Sequence, residues 1–292
     1  SVTSEGIVTN TLGTSNFVAG VNAGNSITSG GNYNTVVGDE AGTAITTGDN
    51  NVAVGYNSLI ANTTASANTA LGDNSLRDNT TGASNTAVGH ASLLNNTTAD
   101  NNTAVGYYAL LANTTGAGNV AMGYQALDAN TTASYNTAIG TSSLSANTTG
   151  AENTALGKSA MEANTTGSQN VAIGKGAFDV NTTGSNNVAV GYNALDANTT
   201  ASNNTAIGTS SLSANTTGDN NTAVGYSSLQ ANTTGSQNAA IGTNALLSNT
   251  TGIDNIAVGM FSLGSNTTGN RHTAIGKNAL YANTTGTGNT GV

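Results

Sequence analysis

The most frequent motif with a known chemistry is the triplet Asn-Thr-Thr, which returns every 17 residues. Asn-x-Thr is the acceptor pattern for N-linked glycosylation, and a sugar coat would suit an exposed fibre. The alternative is a structural ladder of stacked Asn and Thr side chains at a turn. The fixed spacing favours this alternative, because glycosylation requires no period. The candidate acceptors are Asn62, Asn79, Asn96, Asn113, Asn130, Asn147, Asn164, Asn181, Asn198, Asn215, Asn232, Asn249, Asn266 and Asn283.

Three carboxylates share one place in successive repeats, namely Glu162, Asp179 and Asp196. Stacked carboxylates are candidate ligands for Ca²⁺, which takes oxygen ligands. The alternative is a solvated face that is partly neutralised by Lys158 and Lys175. The sequence lacks the periodic Asp motif of calcium-binding repeats, so we expect neither a metal nor another cofactor.

Other side chains that could do chemistry are few. Tyrosines that share one place in the repeat could stack on sugars or line an interface, or they could be simple surface packing; they are Tyr56, Tyr107, Tyr124, Tyr192 and Tyr226. His90 and His272 are isolated substitutions in polar columns. Because the chain has no Cys and no recurring set of acid, base and nucleophile, we predict that it is not an enzyme.

A 17-residue repeat must position all of these side chains. Its clearest form is Asn-Val-Ala-Val-Gly at Asn51–Gly55, and the glycine recurs in phase from Gly38 to Gly276. We count the Asn as position one. Position three is then Ala in each complete coil from Asn51 onward, position four is aliphatic or Met, and position nine is Leu except at Met161 and Phe178. Asn-Thr-Thr occupies positions twelve to fourteen, followed by Gly or Ala.

The repeat length predicts the fold class. A helical repeat needs two helices and more than thirty residues per unit, so 17 residues with turn-like segments indicate one coil of a solenoid. We predict an all-β chain, a single-chain β-solenoid (β-roll or β-helix) of about sixteen 17-residue coils with parallel strand ladders. Gly at position five and Gly or Ala at position fifteen are predicted to lie at sharp turns, where Gly adopts positive φ at no steric cost.

The chain divides into three segments by how well each fits the repeat. Residues 1–15 do not fit, and we predict an N-terminal segment that acts as a cap or as an inter-subunit strand. Residues 16–50 form atypical first coils, with one extra residue before Asn34. Residues 51–292 form the regular solenoid.

The pleat leaves open which face of the strand is inside. Positions two and four point one way and positions three and five the other. If position four and the Leu at position nine are inside, the solenoid is self-contained. If Ala and Gly are inside, the coil is flattened and an aliphatic stripe faces outward, which would need a partner such as copies of itself. The residues of this core or interface ladder are Val54, Leu71, Val88, Val105, Ile139, Ile173 and Ile207 at position four, and Leu59, Leu76 and Leu93 at position nine.

The columns of threonine suggest ice binding as a further hypothesis. The threonines at positions thirteen and fourteen are adjacent, so we expect them to point to opposite faces. The Thr column at position two is interrupted by Val52, Val120, Val171, Val188, Ala239 and Ile256.

Composition and charge exclude several classes of partner. The net charge is −9 and the cations are only five, so no basic stripe exists to meet the phosphates of a nucleic acid. No apolar run is long enough to span a bilayer. The first residues lack a basic region followed by an apolar block.

The coils resemble the head repeats of trimeric autotransporter adhesins, the YadA-like left-handed β-roll. The phrase Asn170–Gly174, Asn-Val-Ala-Ile-Gly, carries this resemblance, together with its counterparts along the chain. Its extension by Tyr192–Leu195 and Asn198–Thr200 is similar to repeats of phage tail fibres. The resemblance covers about residues 34–292 and implies a trimeric or fibrous surface protein without a catalytic site.

These observations predict a structural subunit of an extracellular fibre or filament. The sequence breaks off in mid-repeat at Asn289–Val292, so we expect either a fragment or coils that stack head to tail between subunits. The first alternative is a trimeric adhesin or phage tail-fibre shaft that binds a receptor, and the second is an ice- or glycan-binding solenoid. The expected partner is the chain itself, as a head-to-tail filament or a homotrimer, with a cell-surface or glycan receptor as a further candidate. The expected location is the cell surface, the extracellular space or a virion fibre.

Overall fold

The computed structural model describes the backbone of Val2–Thr3 and Gly6–Ile7 and all of residues 12–292. The first two segments pair antiparallel, with Val2 opposite Ile7 and Thr3 opposite Gly6. The predicted role of residues 1–15 as a cap or inter-subunit strand rests mostly on residues outside the described ones, and it stays a prediction.

Every regular element among the described residues is a short β-strand, and none is a helix. The strands are β1 (Val2–Thr3), β2 (Gly6–Ile7), β3 (Phe17–Ala19), β4 (Thr35–Val37), β5 (Val52–Val54), β6 (Thr69–Leu71), β7 (Thr86–Val88), β8 (Thr103–Val105), β9 (Val120–Met122), β10 (Thr137–Ile139), β11 (Thr154–Leu156), β12 (Val171–Ile173), β13 (Val188–Val190), β14 (Thr205–Ile207), β15 (Thr222–Val224), β16 (Ala239–Ile241), β17 (Ile256–Val258), β18 (Thr273–Ile275) and β19 (Thr290–Gly291).

The chain divides into two compact units, Ser1–Thr141 and Ser142–Val292. In the first unit, the strands from β3 to β10 each pair in parallel with the next strand along the chain. In the second unit, the strands from β11 to β19 do the same. The paired residues are 17 apart, as in Val188↔Thr205, except that β3 and β4 are offset by 18. This pairing confirms the predicted all-β solenoid of about sixteen coils.

The interior of each coil contains Ala, Leu and Asn, while position four lies outside. In the coil of β5, Ala53 at position three and Leu59 at position nine are fully buried, and Val54 at position four is half-exposed. Ala at position three is inside and position four is outside, as in the second predicted arrangement, whereas the buried Leu at position nine belongs to the first. From β5 to β18 the inner face of the strand carries only Ala, which lets the opposite wall of the coil approach closely, whereas β4 has Val36 at this place.

Position one forms a buried hydrogen-bonded ladder. The side-chain oxygen Oδ1 of Asn51 accepts the backbone N–H of Asn68 at 3.0 Å, and Asn68 Oδ1 accepts the N–H of Asn85 at 3.0 Å. The amide nitrogen Nδ2 of Asn68 in turn donates to the carbonyl of Gly82, at position fifteen of the same coil. A buried amide without such partners would cost free energy, so the ladder holds neighbouring coils in register.

The turns of each coil use left-handed backbone at residues other than glycine. Positions seven, nine and seventeen have φ near +50° to +60°, as at Asn193 (49°), Leu195 (55°) and Asn203 (61°). The N–H groups of these residues bond to adjacent coils: Asn193 to Lys175 and Leu195 to Ser211. Such φ values are uncommon outside glycine and cost free energy, so the stacked neighbours must hold these residues in place. The prediction of positive φ was correct for position five and wrong for position fifteen, which has ordinary φ.

Position five requires glycine for two reasons. Gly174 has φ of +131°, and a Cβ atom placed on it would lie 2.5 Å from the carbonyl oxygen of Gly191 in the next coil. Both the backbone conformation and the close approach of two main chains exclude a side chain. Backbone atoms cannot move aside without separating the coils.

The substitution Gly174→Ala should therefore destabilise the second unit by about 3 kcal/mol, through left-handed strain and the clash with Gly191. The matched control is Gly176→Asn, two residues away at position seven, where φ is +63° and Asn193 occupies the same place one coil later. The control should change the free energy of unfolding by less than about 0.5 kcal/mol. Urea unfolding followed by circular dichroism measures both. Equal stability of the two variants would contradict the close-approach argument.

Candidate functional site

The Asn residues of the Asn-Thr-Thr triplets point into the coil. From Asn62 to Asn266 each of them is fully buried, and only Asn283 is half-exposed. Asn181 Nδ2 donates to Asn164 Oδ1 of the preceding coil at 2.7 Å and to the carbonyl of Gly184 at 3.1 Å. A glycan would have to bond to this same nitrogen. Glycosylation stays a hypothesis, but in a folded coil the acceptor nitrogen is inside and already hydrogen-bonded.

The carbonyl at position fifteen joins the two Asn ladders. Gly82 O accepts Nδ2 of Asn68, from position one, and Nδ2 of Asn79, from position twelve, each at 2.9 Å. A carbonyl oxygen has two lone pairs, so both are used. A Cβ on Gly82 would lie 2.5 Å from Asn79 Oδ1. The largest side chain at this position in the regular coils is the methyl group of Ala, as at Ala99.

The two threonines of the triplet have different surroundings. Thr182, at position thirteen, is half-buried and donates its hydroxyl to the carbonyl of Thr199 in the next coil at 3.0 Å. Thr183, at position fourteen, is exposed. The predicted opposite orientation of the two side chains agrees with this difference. A single exposed Thr column thus remains for the ice-binding hypothesis, beside the interrupted and half-exposed column at position two.

The three carboxylates at position ten are half-buried on the surface of the second unit. Burial raises the pKa of Asp179 above its ordinary value, and the nearby charge of Glu162 raises it further. Burial likewise raises the pKa of Asp196, with a smaller contribution from Asp179, against hydrogen bonds from its own backbone and that of Ala197. Like charges one coil apart therefore interact unfavourably.

The carboxylate column does not form a metal site by its geometry. Among the described residues, no group of three or more His, Asp or Glu side chains is arranged to hold a metal ion. Nor does an ion pair within the described residues join Lys158 or Lys175 to this column. Lys175 Nζ instead lies 5.7 Å from the centroid of the Tyr192 ring, as a cation–π contact.

The tyrosines at position six are exposed, and two of those in the first unit, Tyr107 and Tyr124, stack on one another. The Tyr107 ring lies between His90, at a centroid distance of 5.1 Å, and Tyr124, at 5.6 Å and 8° between planes. His90 Nδ1 is also 3.0 Å from the carboxylate of Asp73. Both faces of Tyr107 are thus covered by neighbouring rings. A sugar could reach the ring edges there but could not stack on the face, which weakens the glycan-platform interpretation for this cluster.

Positions two and four form a continuous uncharged surface on each unit, apolar throughout at position four, which we call the outward stripe. It comprises those positions of strands β5–β10 in the first unit and β11–β18 in the second. All of its residues are Thr, Val, Ala, Ile, Leu or Met, and none is charged. The position-four side chains are half-exposed or exposed, reaching 46% at Leu71 and 45% at Ile275. The residues predicted to form the core or interface ladder therefore fall into two groups. Leu59, Leu76 and Leu93 lie inside the coil, and the position-four residues lie outside.

A shallow hollow of about 390 Å³ lies on the second unit. It is lined by Met260, Phe261, Lys277, Asn278 and Tyr281, and the Phe261 and Tyr281 rings meet edge to face at 6.1 Å. Its polar side chains are the Lys277 amine, the Asn278 amide and the Tyr281 hydroxyl.

Comparison with protein-family models, with curated proteins and with solved structures finds no match to this chain. The resemblance to the adhesin and tail-fibre repeats therefore stays a prediction. No helix in the described part of the chain has the length and apolar character needed to cross a membrane.

Removing one rung of the position-twelve ladder should be costly. Asn181→Ala deletes hydrogen bonds to Asn164, Gly184 and Asn198 and leaves buried polar atoms without partners. We expect a loss of about 3 kcal/mol in the free energy of unfolding. The matched control is Thr183→Ala, two residues away on the surface, which should cost less than about 0.5 kcal/mol. Urea titration of both variants makes the comparison, and an unchanged midpoint for Asn181→Ala would show that the amide is solvated.

The carboxylate column should give a pH dependence of defined sign. A carboxyl with a raised pKa in the folded state binds more protons when folded, so its contribution favours folding at low pH and is lost as the pH rises from its ordinary 3.8 through the raised value. Asp179→Asn should remove part of this loss and stabilise the protein at pH 7 by about 0.5 kcal/mol or less, after allowance for solvent screening. The control Ser213→Asn adds an amide to the same column without changing charge. Thermal unfolding from pH 4 to pH 7 tests this, and a parallel pH profile for Asp179→Asn and the unmodified protein would refute it.

Proposed function

We propose that this chain is a structural subunit of an extracellular fibre, and that copies of it associate side by side through the outward stripe. The proposal rests on one observation, which is that the position-four side chains point outward. A solenoid that needed only its own core would place its Val, Ile and Leu residues inside. Here the inner face of the strand has Ala, and the aliphatic residues of position four face out over successive coils of each unit, although Leu at position nine is inside. Contiguous exposed apolar surface of this kind marks association sites.

The best-fitting occupant of the stripe is a second copy of the same stripe. In each unit the residues at position four repeat once per coil, because the strands pair in register. Copies related by a symmetry axis along the stacking direction would bring like columns together with the same period. The absence of charge from positions two and four means that such a contact would bury no ionised group.

The symmetry axis of the assembly sets the number of copies. A threefold axis would give the trimeric shaft that the resemblance to autotransporter adhesin heads implies, with position four at its centre. A head-to-tail filament remains the other prediction from the sequence. Either assembly would serve as an elongated structural element outside the cell, with adhesion to a receptor as a secondary role of the exposed Tyr and Thr columns.

The side-by-side arrangement predicts the effect of one outward charge. Ile207, at position four of β14, is 40% exposed, so Ile207→Glu should leave the fold intact and break the association. Thr209→Glu, two residues later at an exposed position six, is the matched control with the same change in charge. Light scattering coupled to gel filtration should give a multimer for the unmodified protein and for Thr209→Glu, and a monomer for Ile207→Glu.

Circular dichroism must show the same β signal for both variants, which separates dissociation from unfolding. A monomeric unmodified protein at micromolar concentration, or a multimer that survives Ile207→Glu, would overturn the proposal. Electron microscopy of the same samples separates the two assemblies. Short particles of uniform cross-section indicate the closed symmetric shaft, and long fibres that Ile207→Glu leaves unchanged indicate head-to-tail stacking.

A further inference from the structure

One rung of the position-one ladder in the second unit is a histidine. Position one is Asn from Asn153 to Asn255, and His272 takes its place in the coil of β18. Its side chain is buried, with 1% of its surface exposed. An ionisable group that is held at a fully buried place in an otherwise non-titrating ladder needs an explanation.

The imidazole reproduces the hydrogen bonds of the amide that it replaces. Nδ1 accepts the backbone N–H of Asn289 at 3.0 Å, as Oδ1 of an Asn does elsewhere in the column. Nε2 lies 2.6 Å from the carbonyl of Gly286, the position-fifteen acceptor. The backbone N–H of His272 donates to Asn255 Oδ1 at 3.0 Å and continues the ladder.

These partners assign the tautomer. The N–H of Asn289 can only donate and the carbonyl of Gly286 can only accept, so Nε2 carries the proton and Nδ1 presents its lone pair. The amide nitrogen of Asn283 is 3.0 Å from Nε2 but has its own acceptor in Asn266 Oδ1, also at 3.0 Å. The neutral ring therefore fits the ladder, and a doubly protonated ring does not.

We propose that His272 is a pH-sensitive rung, whose protonation releases the coil that follows β18. A second proton on Nδ1 would place two N–H donors against each other at Asn289 and bury a positive charge. The groups hydrogen-bonded to the ring, from Asn283, Gly286 and Asn289, include no carboxylate to balance that charge. The charged residues nearest to His272 along the chain are Arg271 and Lys277. Arg271 forms a surface pair with Asp254 at 3.9 Å.

The consequence concerns the pairing of β18 with β19. Strand β19 pairs with β18 through Thr273↔Thr290 and Ala274↔Gly291. When the Asn289 N–H loses its acceptor, the pairing of β19 with β18 is weakened. The edge of β18 then becomes free to pair with another strand. The Asn rungs at the other coils do not titrate, so their pairing should not change over the same pH range.

Hydrogen exchange on the full chain tests the switch. Amide protection at Asn289 and Thr290 is compared at pH 7.5 and pH 5.5, after correction for the intrinsic exchange rates. We expect the protection to fall by about tenfold at the lower pH, which is the limit that linkage to one ordinary histidine proton allows. In His272→Asn, which restores the residue of the other coils, the protection should be the same at both pH values. Amides of the coil of β14 serve as the internal reference.

Two results would overturn the inference. The first is an equal pH dependence at Asn289 in His272→Asn and in the unmodified protein. The second is a nitrogen NMR spectrum of the imidazole that shows the proton on Nδ1 at pH 7.5. A second variant, Asn255→His combined with His272→Asn, extends the test, because it should move the pH dependence one coil earlier, to the N–H of residue 272.

Discussion

Each coil depends on the backbone carbonyl at position fifteen, which receives two side-chain amides at once. One amide comes from position one, on the strand, and the other from position twelve, at the turn, so this single oxygen ties two walls of the coil together. Each Asn then bonds to its counterpart in a neighbouring coil. The interior is polar on this side and apolar on the side of Leu at position nine. A chain with few large apolar residues can thus fold, because buried amides that satisfy one another are not a penalty.

The same network makes stability local and cumulative. Each coil contacts its neighbours through the same set of bonds, as expected for a repeat protein whose stability adds up from nearest-neighbour terms. The left-handed residues at positions seven, nine and seventeen are held only by those neighbours. Departures from the pattern are correspondingly few. In the described part of the chain, Asn204 Nδ2 is the one buried side-chain nitrogen or oxygen without a hydrogen-bond partner.

Much of the fold could be predicted from the period alone. A phase kept from Gly38 to Gly276 requires coils of equal length, and three-residue runs such as Thr-Ala-Val fit short strands. Whether the position-four side chains point inward or outward could not be predicted. Both faces of the strand are uncharged, and the alternation of side chains does not show which face is inside. The two Asn columns determine this orientation. Their side chains occupy the interior, where they form hydrogen bonds, and so exclude bulkier side chains from the strand's inner face.

Other features depend on contacts that no local pattern reveals. Leu at φ near +50° contradicts the usual preference of a γ-branched residue, and only the bond from Leu195 N–H to the next coil accounts for it. The Asn-Thr-Thr triplet was ambiguous between an exposed acceptor and a buried rung, because the same three residues suit both. The role of His272 becomes visible only when its two ring nitrogens are matched to the donor and acceptor of an amide.

The register of 17 residues also has a mechanical consequence. Stacked coils are about 4.8 Å apart, whereas 17 residues pulled straight reach about 58 Å. A coil that detaches from the end of a stack under tension therefore lengthens the chain by about 50 Å while its neighbours stay folded. Because the bonds between coils lie along the stacking direction, tension in that direction loads one interface after another. Such a stack would yield in equal steps, each of which dissipates work, and it would re-form when the load is removed.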